Sequence, residues 1–205
     1  WHETMSTHWF HDHMFTFTDQ NVYKGNAGMN NIYSSLDRGN ETLNDGVNLR
    51  MPSGTSKSWG NLDFDVNLML ADKAWDSNGQ LTMATLAFDG FLGDQMTVNL
   101  AWKPFFNVYA RRYRFRILNA SVSRFFALAL SDGSNFVQIA NDGNLLPLTV
   151  NLTQTDQLGI AERYDIVIDF SRYKSGQTVD LVNLQQMSNG QLPGPVVTLS
   201  QALGG

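Results

Sequence analysis

The chain has 205 residues, of which 42% are hydrophobic and 16% are charged, a balance typical of a protein with a packed core. Its formal net charge of −5 disfavours a broad nucleic-acid-binding surface. No apolar run approaches the length of about 18 to 20 residues that a membrane helix needs, so we expect neither nucleic acid nor a membrane as a partner. The absence of cysteine excludes disulfides, thiolate-bound zinc, iron–sulfur clusters, blue copper and a cysteine nucleophile within this chain.

All four histidines lie within the first 13 residues. Residues two apart on a strand point to the same face, so His11 and His13 would present two imidazoles side by side while Asp12 points away. Neutral imidazole is a ligand for copper, zinc, iron or nickel. The pair alone is also compatible with surface histidines, and a closed site needs three or four ligands. His2 and His8 have the opposite parity, so we expect neither to bind metal, and for Asp12 we expect a structural hydrogen bond rather than proton delivery.

The segment from residue 36 to 61 is rich in Asn, Gly, Ser and Asp and has little apolar periodicity. This composition predicts a long connection between two structural units, with a boundary near residue 55.

Period-two alternation beyond this connection predicts strands. It is clearest over residues 112–117, where three arginines alternate with Tyr113, Phe115 and Ile117, so the apolar set would face a core. We interpret the arginine face as solvated or inter-domain, with an anion site as the alternative. Further strands are predicted at residues 64–70, 97–102, 126–130, 136–140, 164–170 and 178–184. Short strands separated by Asp-Gly and Asn-Asp-Gly turns indicate an all-β sandwich.

The segment Trp9-Phe10-His11-Asp12-His13, followed by Asn21-Val22-Tyr23 and two glycines, resembles the second copper-binding segment of multicopper oxidases. The similar branch contains bacterial spore-coat laccase, bilirubin oxidase and phenoxazinone synthase. The resemblance continues in the family's order through residues 112–121 (RYRFRILNAS), 136–147 (FVQIANDGNLLP) and 161–170 (AERYDIVIDF). One departure is the pair Asn30 and Asn31, where the family usually has an apolar strand.

The resemblance implies a cupredoxin-like Greek-key β-sandwich fold. Residues 1–55 would be the C-terminal part of a first cupredoxin domain plus a linker, and residues 56–205 a second domain without copper. Family members oxidise phenolic or aromatic compounds or metal ions at a type 1 copper, and reduce dioxygen to water at a trinuclear copper cluster. His11 and His13 match one of four His-x-His pairs and would bind the type 3 coppers, and no residue here is assigned as catalytic.

The other histidine pairs and the cysteine of the electron route do not occur in this chain, so we expect it to be an internal fragment and inactive alone. Its partners would be the start of domain one and domain three of the same oxidase, an aromatic or metal-ion donor, and dioxygen. The family implies a periplasmic, extracellular or spore-coat location. The alternative is a cupredoxin-like scaffold or assembly module that has lost the oxidase activity.

Overall fold

The structure is a computed structural model that describes residues 5–86 and 88–204. None of the helices in these two ranges is long and apolar enough to span a membrane. In chain order the described residues form β1 (Ser6–His11), α1 (Thr18–Tyr23), β2 (Ala27–Ile32), β3 (Asp65–Lys73), β4 (Gln95–Val98), β5 (Ala101–Trp102), β6 (Arg112–Asn119), β7 (Leu128–Leu130), β8 (Phe136–Asn141), β9 (Asn144–Leu152), β10 (Arg163–Asp169), a 3₁₀ turn (Phe170–Arg172), β11 (Leu181–Asn183), β12 (Gln185–Met187), β13 (Pro193–Val196) and α2 (Leu199–Ala202).

The largest sheet has seven strands in the order β5-β4-β3-β6-β10-β8-β9. Strands β3 and β6 are parallel, whereas the other neighbours in this sheet run antiparallel. Two-stranded sheets are formed by β1 with β2, β7 with β11, and β12 with β13. The described chain is therefore mostly strand, which confirms the predicted all-β class.

The core lies between the seven-stranded sheet and β7. The alternation in β6 places Tyr113, Phe115 and Ile117 in this core, with 2%, 6% and 0% of their surface exposed. They belong to the same buried cluster as Leu128 and Leu130 of β7. Burying side chains of this size stabilises the fold by about 1.5 to 3 kcal/mol each. Strand β6 is also the middle strand of the seven-stranded sheet.

The arginine face of β6 differs from its prediction. Arg112 is exposed and pairs with Asp169, but Arg114 and Arg116 are fully buried. The expectation of a solvated face is wrong for these two, because the beginning of β1 and the connection before β3 lie over them and supply ionic partners. The inter-domain interpretation depends on the domain boundary near residue 55 and stays a prediction.

The connection over residues 33–64 contains no strand or helix, yet it is fixed by side-chain hydrogen bonds. Asn48 Nδ2 donates to the carbonyl oxygens of Asn40 and Leu43 at 2.7 and 2.9 Å, and Asn61 Nδ2 donates to that of Lys57 at 2.8 Å. Both asparagines are buried, so their amides replace the ladder bonds that a strand would supply. The connection is therefore an ordered part of the fold.

One predicted strand is wrong in its shape, and one strand of the structure was not predicted. The predicted strand 97–102 is a hairpin of β4 and β5, because Asn99 and Leu100 have φ values of 51° and 66° and turn the chain. Strand β9 was not predicted because Pro147 interrupts it, although Leu148, Val150 and Leu152 alternate with polar residues after the proline. Its place at the edge of the sheet accommodates a proline, whose nitrogen cannot donate to a neighbouring strand.

Candidate metal centre

The candidate ligands lie at the end of a two-stranded ribbon. Strands β1 and β2 pair antiparallel over their full length, from Ser6 opposite Ile32 to His11 opposite Ala27. The ribbon forms despite the asparagines of β2, one of which is used in packing: Asn31 Nδ2 donates to Asn67 Oδ1 of β3 at 3.0 Å. The strand that carries His11 is thus held in register along six residues.

His11 and His13 are brought together as the sequence predicted, although His13 lies just beyond the end of β1. Their ring centroids are 5.9 Å apart and the rings are inclined by 28°. Trp9 stacks on the other side of His11 at 4.7 Å and 24°, so three rings form a row. This stacking limits the rotation of the His11 ring.

A backbone contact sets the tautomer of His11. Its Nδ1 lies 2.6 Å from the carbonyl oxygen of Asp12. Because a carbonyl oxygen only accepts, Nδ1 carries the proton, which leaves the lone pair of Nε2 on a neutral ring free to bind a metal. Histidine ligands in metal sites are commonly oriented in this way.

The side chain of Asp12 has a separate role. Its Oδ1 accepts from the backbone N–H of Met14 at 3.0 Å and from Asn21 Nδ2 at 2.9 Å. These two hydrogen bonds, that of Asn21 first, lower the pKa of Asp12. They connect the turn between the two histidines to α1, which fits the expected structural role.

His8 lies apart from the pair, as its parity predicts. Its Nε2 is buried and has no hydrogen-bond partner among the described residues, and the imidazole packs against Gly143 of the turn between β8 and β9. Burial, followed by the charge of Arg163, lowers the pKa of His8. The prediction for His2 lies outside the described residues.

The pair offers two imidazoles, fewer than the three or four ligands that a closed metal site needs. Within residues 5–86 and 88–204 no group of three or more His, Asp or Glu side chains could hold a metal ion. The paired imidazoles suit copper, since neutral nitrogen ligands bind both of its oxidation states. Further ligands must come from outside the part of the chain that the structure describes.

Exposed apolar side chains flank the pair in sequence. Phe10 and Phe15 are 65% and 89% exposed, and Met14 and Phe17 are also largely exposed. Clustered apolar exposure of this kind is typical of a surface that another protein segment covers.

A buried ion cluster supports the beginning of β1, at the other end from His11. It consists of the guanidiniums of Arg114 and Arg116 and the carboxylates of Asp37, Asp65 and Asp165. Arg114 Nη2 donates to Asp165 Oδ2 at 2.6 Å. Arg116 binds both oxygens of Asp65, at 2.7 and 2.8 Å, in a bidentate pair.

The ion pairs of the cluster favour the charged forms of Arg114 and Asp165. Burial opposes charge on Arg114, but Asp165, Asp37 and Asp65 raise its pKa above the usual arginine value. Burial likewise opposes ionisation of Asp165, but Arg114 and Arg116 hold its pKa below the usual aspartate range. The charges are therefore retained by their partners.

The sequence analysis missed these carboxylates, although one signal was present. Asp165 and Asp169 are four residues apart on β10, so they share a face, and they lie opposite Arg116 and Arg112 in the β10–β6 register. Alternating Asp against alternating Arg predicts cross-strand ion pairs once the two strands are neighbours.

No family model matches the chain. It is 36% identical over 188 residues to bilirubin oxidase of Albifimbria verrucaria, a match that covers 89% of this chain and 30% of the relative. It is 33% identical to laccase of Bacillus subtilis, with 85% of this chain and 33% of the relative covered. The chain thus spans about a third of the length of these curated relatives.

A relative with another name matches as well. The cell division protein FtsP of Xenorhabdus nematophila is 35% identical over 170 residues, which cover 83% of this chain and 33% of the relative.

Among solved structures, the 2F4 variant of the multicopper oxidase McoA from Aquifex aeolicus matches with a TM-score of 0.74 and 31% identity, over 90% of this chain and 38% of that one. This match confirms the cupredoxin-like fold. In sequence and in fold, the chain is a homologue of one segment of the laccase-like multicopper oxidases.

Proposed function

We propose that the chain is the part of a laccase-like multicopper oxidase that comprises the end of one cupredoxin domain, residues 1–55, and a second, copper-free domain, residues 56–205. The ribbon of β1 and β2 forms its own sheet, and the seven-stranded sheet begins at β3, which supports a division near residue 55. The second domain would hold the flanking domains in register, with Arg114 and Arg116 at the interface.

The observation that carries this function is the imidazole pair at the end of β1. His11 and His13 would bind the type 3 coppers, and His11 would use the Nε2 that its contact with Asp12 leaves free. Copper bound there supplies the redox chemistry with which dioxygen is reduced to water. The protein's own contribution is to orient the two rings, and Trp9 restricts the ring of His11 by stacking.

The rest of the site would come from other segments of the same oxidase. The exposed apolar residues next to the pair in sequence, Phe10 and Phe15 among them, would be covered by such a segment. A covering segment would supply further histidines and would exclude water from the pair. The electron donor, a phenolic or aromatic compound or a metal ion, would bind outside this chain.

Replacing His11 and His13 together with Ala in the full-length oxidase tests the proposal. We expect dioxygen uptake with a phenolic donor to fall to the background rate, because the type 3 coppers lose two ligands, while the circular dichroism spectrum stays unchanged. His8→Ala is the matched control, a histidine of the same strand on the other face, and should retain uptake. Normal uptake by the double variant would contradict the assignment.

A second candidate is a cupredoxin-like assembly module without oxidase activity. The match to a cell division protein favours it. The two functions differ in what they require of His11 and His13: an assembly module needs no copper there. Copper analysis of the intact protein distinguishes them, since about zero copper per chain after reconstitution would favour the module.

A further inference from the structure

The first two residues of β1 are bound to the seven-stranded sheet through a single carboxylate. The hydroxyls of Ser6 and Thr7 both donate to Asp165 of β10, Thr7 at 2.5 Å to Oδ1 and Ser6 to Oδ2. All three residues are at most 1% exposed. Hydrogen bonds to a buried charged group are stronger than those between neutral groups.

Charge balance explains why hydroxyls are present there. The buried ion cluster has three carboxylates and two guanidiniums, which is a formal excess of one negative charge. Three hydroxyl groups donate to that excess: Ser6 and Thr7 to Asp165, and Tyr33 to Asp65 at 3.2 Å. Burial, with the nearby Asp65, raises the pKa of Tyr33 to about 12, so its hydroxyl remains a donor.

The backbone at the same place is held in an unfavourable conformation. Ser6 has a φ of 84°, a value that side-chain-bearing residues rarely adopt. Such a conformation persists where several contacts from the surrounding structure hold the backbone in place. Here the N–H of Met5 donates to the carbonyl oxygen of Gly143 at 3.0 Å, and Arg163 Nε donates to that of Thr7 at 3.2 Å.

We propose that Asp165 is a positioning residue for the histidine pair: it fixes the start of β1 on the seven-stranded sheet and thereby sets where His11 is presented. Thr7, Trp9 and His11 share one face of β1, and His11 follows Thr7 by four residues in a strand paired along its whole length. A shift at Thr7 is therefore transmitted to His11. The metal part of this inference depends on the proposed function, whereas the attachment of β1 does not.

Asp165→Asn tests the proposal, with Asp169→Asn as the matched control on the same strand. Asp169 also accepts from an arginine, but its side chain is 39% exposed and makes no hydrogen bond to β1 among the described residues. Asn keeps the shape of Asp165 and leaves two carboxylates against two guanidiniums, while the charge that binds Ser6 and Thr7 is lost. We expect the amides of Met5 and of β1 to exchange with deuterium about tenfold faster in Asp165→Asn and at the normal rate in Asp169→Asn.

A second readout follows the metal. In the copper-loaded full-length oxidase, we expect a chelator to remove copper from Asp165→Asn roughly tenfold faster than from Asp169→Asn, a loss typical of residues that orient ligands. If the unaltered protein holds no copper at His11 and His13, the proposed function fails, and the exchange result still decides the attachment of β1.

The double variant Ser6→Ala, Thr7→Val covers the case in which Asp165→Asn does not fold. It keeps all five charges of the ion cluster and removes only the two hydroxyls. We expect it to accelerate exchange in β1 while β8 and β10 stay protected. Normal exchange in β1 in this variant, or equal exchange in Asp165→Asn and Asp169→Asn, would overturn the proposal.

Discussion

At the scale of single residues, surroundings distinguish the three described histidines. His13 is exposed beyond the end of β1, and His11 has Nδ1 engaged by a carbonyl oxygen and Nε2 without a hydrogen bond to any described residue. His8, three residues before His11, has its Nε2 buried against Gly143. Strand parity predicted that His8 faces away from His11. It could not predict that His8 packs against Gly143, because that glycine lies in a turn some 130 residues later in the sequence.

The contact between His8 and Gly143 leads to a stability prediction. A Cβ at position 143 would lie 2.5 Å from His8 Nε2, at a φ of 80°. Gly143→Ala should destabilise the protein by more than about 1 kcal/mol, because strain and a clash add. Gly176→Ala is the control, with a φ of 83° and open space, and measures strain alone. Equal urea midpoints for the two variants would show that the clash is absent.

His8 also predicts a pH dependence. Its pKa in the folded state is lowered by burial and by Arg163, while Asp165 acts in the opposite direction. The folded state therefore binds fewer protons than the unfolded state, so stability is fully present above about pH 6.5 and falls as the pH drops below that value. His8→Gln should flatten this decline in metal-free protein, and His13→Gln, at an exposed position, should not. The same slope in both variants would contradict the assignment to His8.

At the scale of elements, alternation predicted which face of β6 enters the core, and Tyr113 and Ile117 lie there. It could not predict what covers the opposite face, because the covering residues are distant in sequence: Asp37 is 77 positions from Arg114, and Ser6 is 159 from Asp165. A connection without apolar periodicity was expected to be a linker, but its asparagines and Asp37 make it part of the packed structure.

The two kinds of arginine on β6 should differ in energy. Arg114→Met would leave three buried carboxylates with one guanidinium, and we expect a loss of about 3 to 5 kcal/mol in the free energy of unfolding. Arg112→Met removes an ion pair whose arginine side chain is 71% exposed, and should cost at most about 1 kcal/mol. Urea unfolding at neutral pH measures both. Losses of similar size in the two variants would contradict the claim that the buried ion pairs of Arg114 contribute more to stability than the exposed pair of Arg112.

At the scale of the whole molecule, the chain matches one segment of its relatives. It would therefore supply only part of the ligands of the proposed copper site. The motif around His11 and His13 allowed the copper function to be proposed from sequence, since few residue patterns combine paired imidazoles with the later strand motifs. The sequence did not reveal how the pair is supported. That support comes from the ion cluster, through Asp165, and the cluster forms only when β1, the connection and the seven-stranded sheet pack together.

The central claim is that His11 and His13 bind copper, and a copper-edge anomalous difference map of the copper-loaded full-length protein tests it most directly. The account predicts two copper peaks, each roughly 2 Å from an imidazole nitrogen of this pair, the usual length of a metal–imidazole bond. His11 should coordinate through Nε2, with Nδ1 still on the carbonyl oxygen of Asp12. Copper bound elsewhere, with both imidazoles free, would contradict the account.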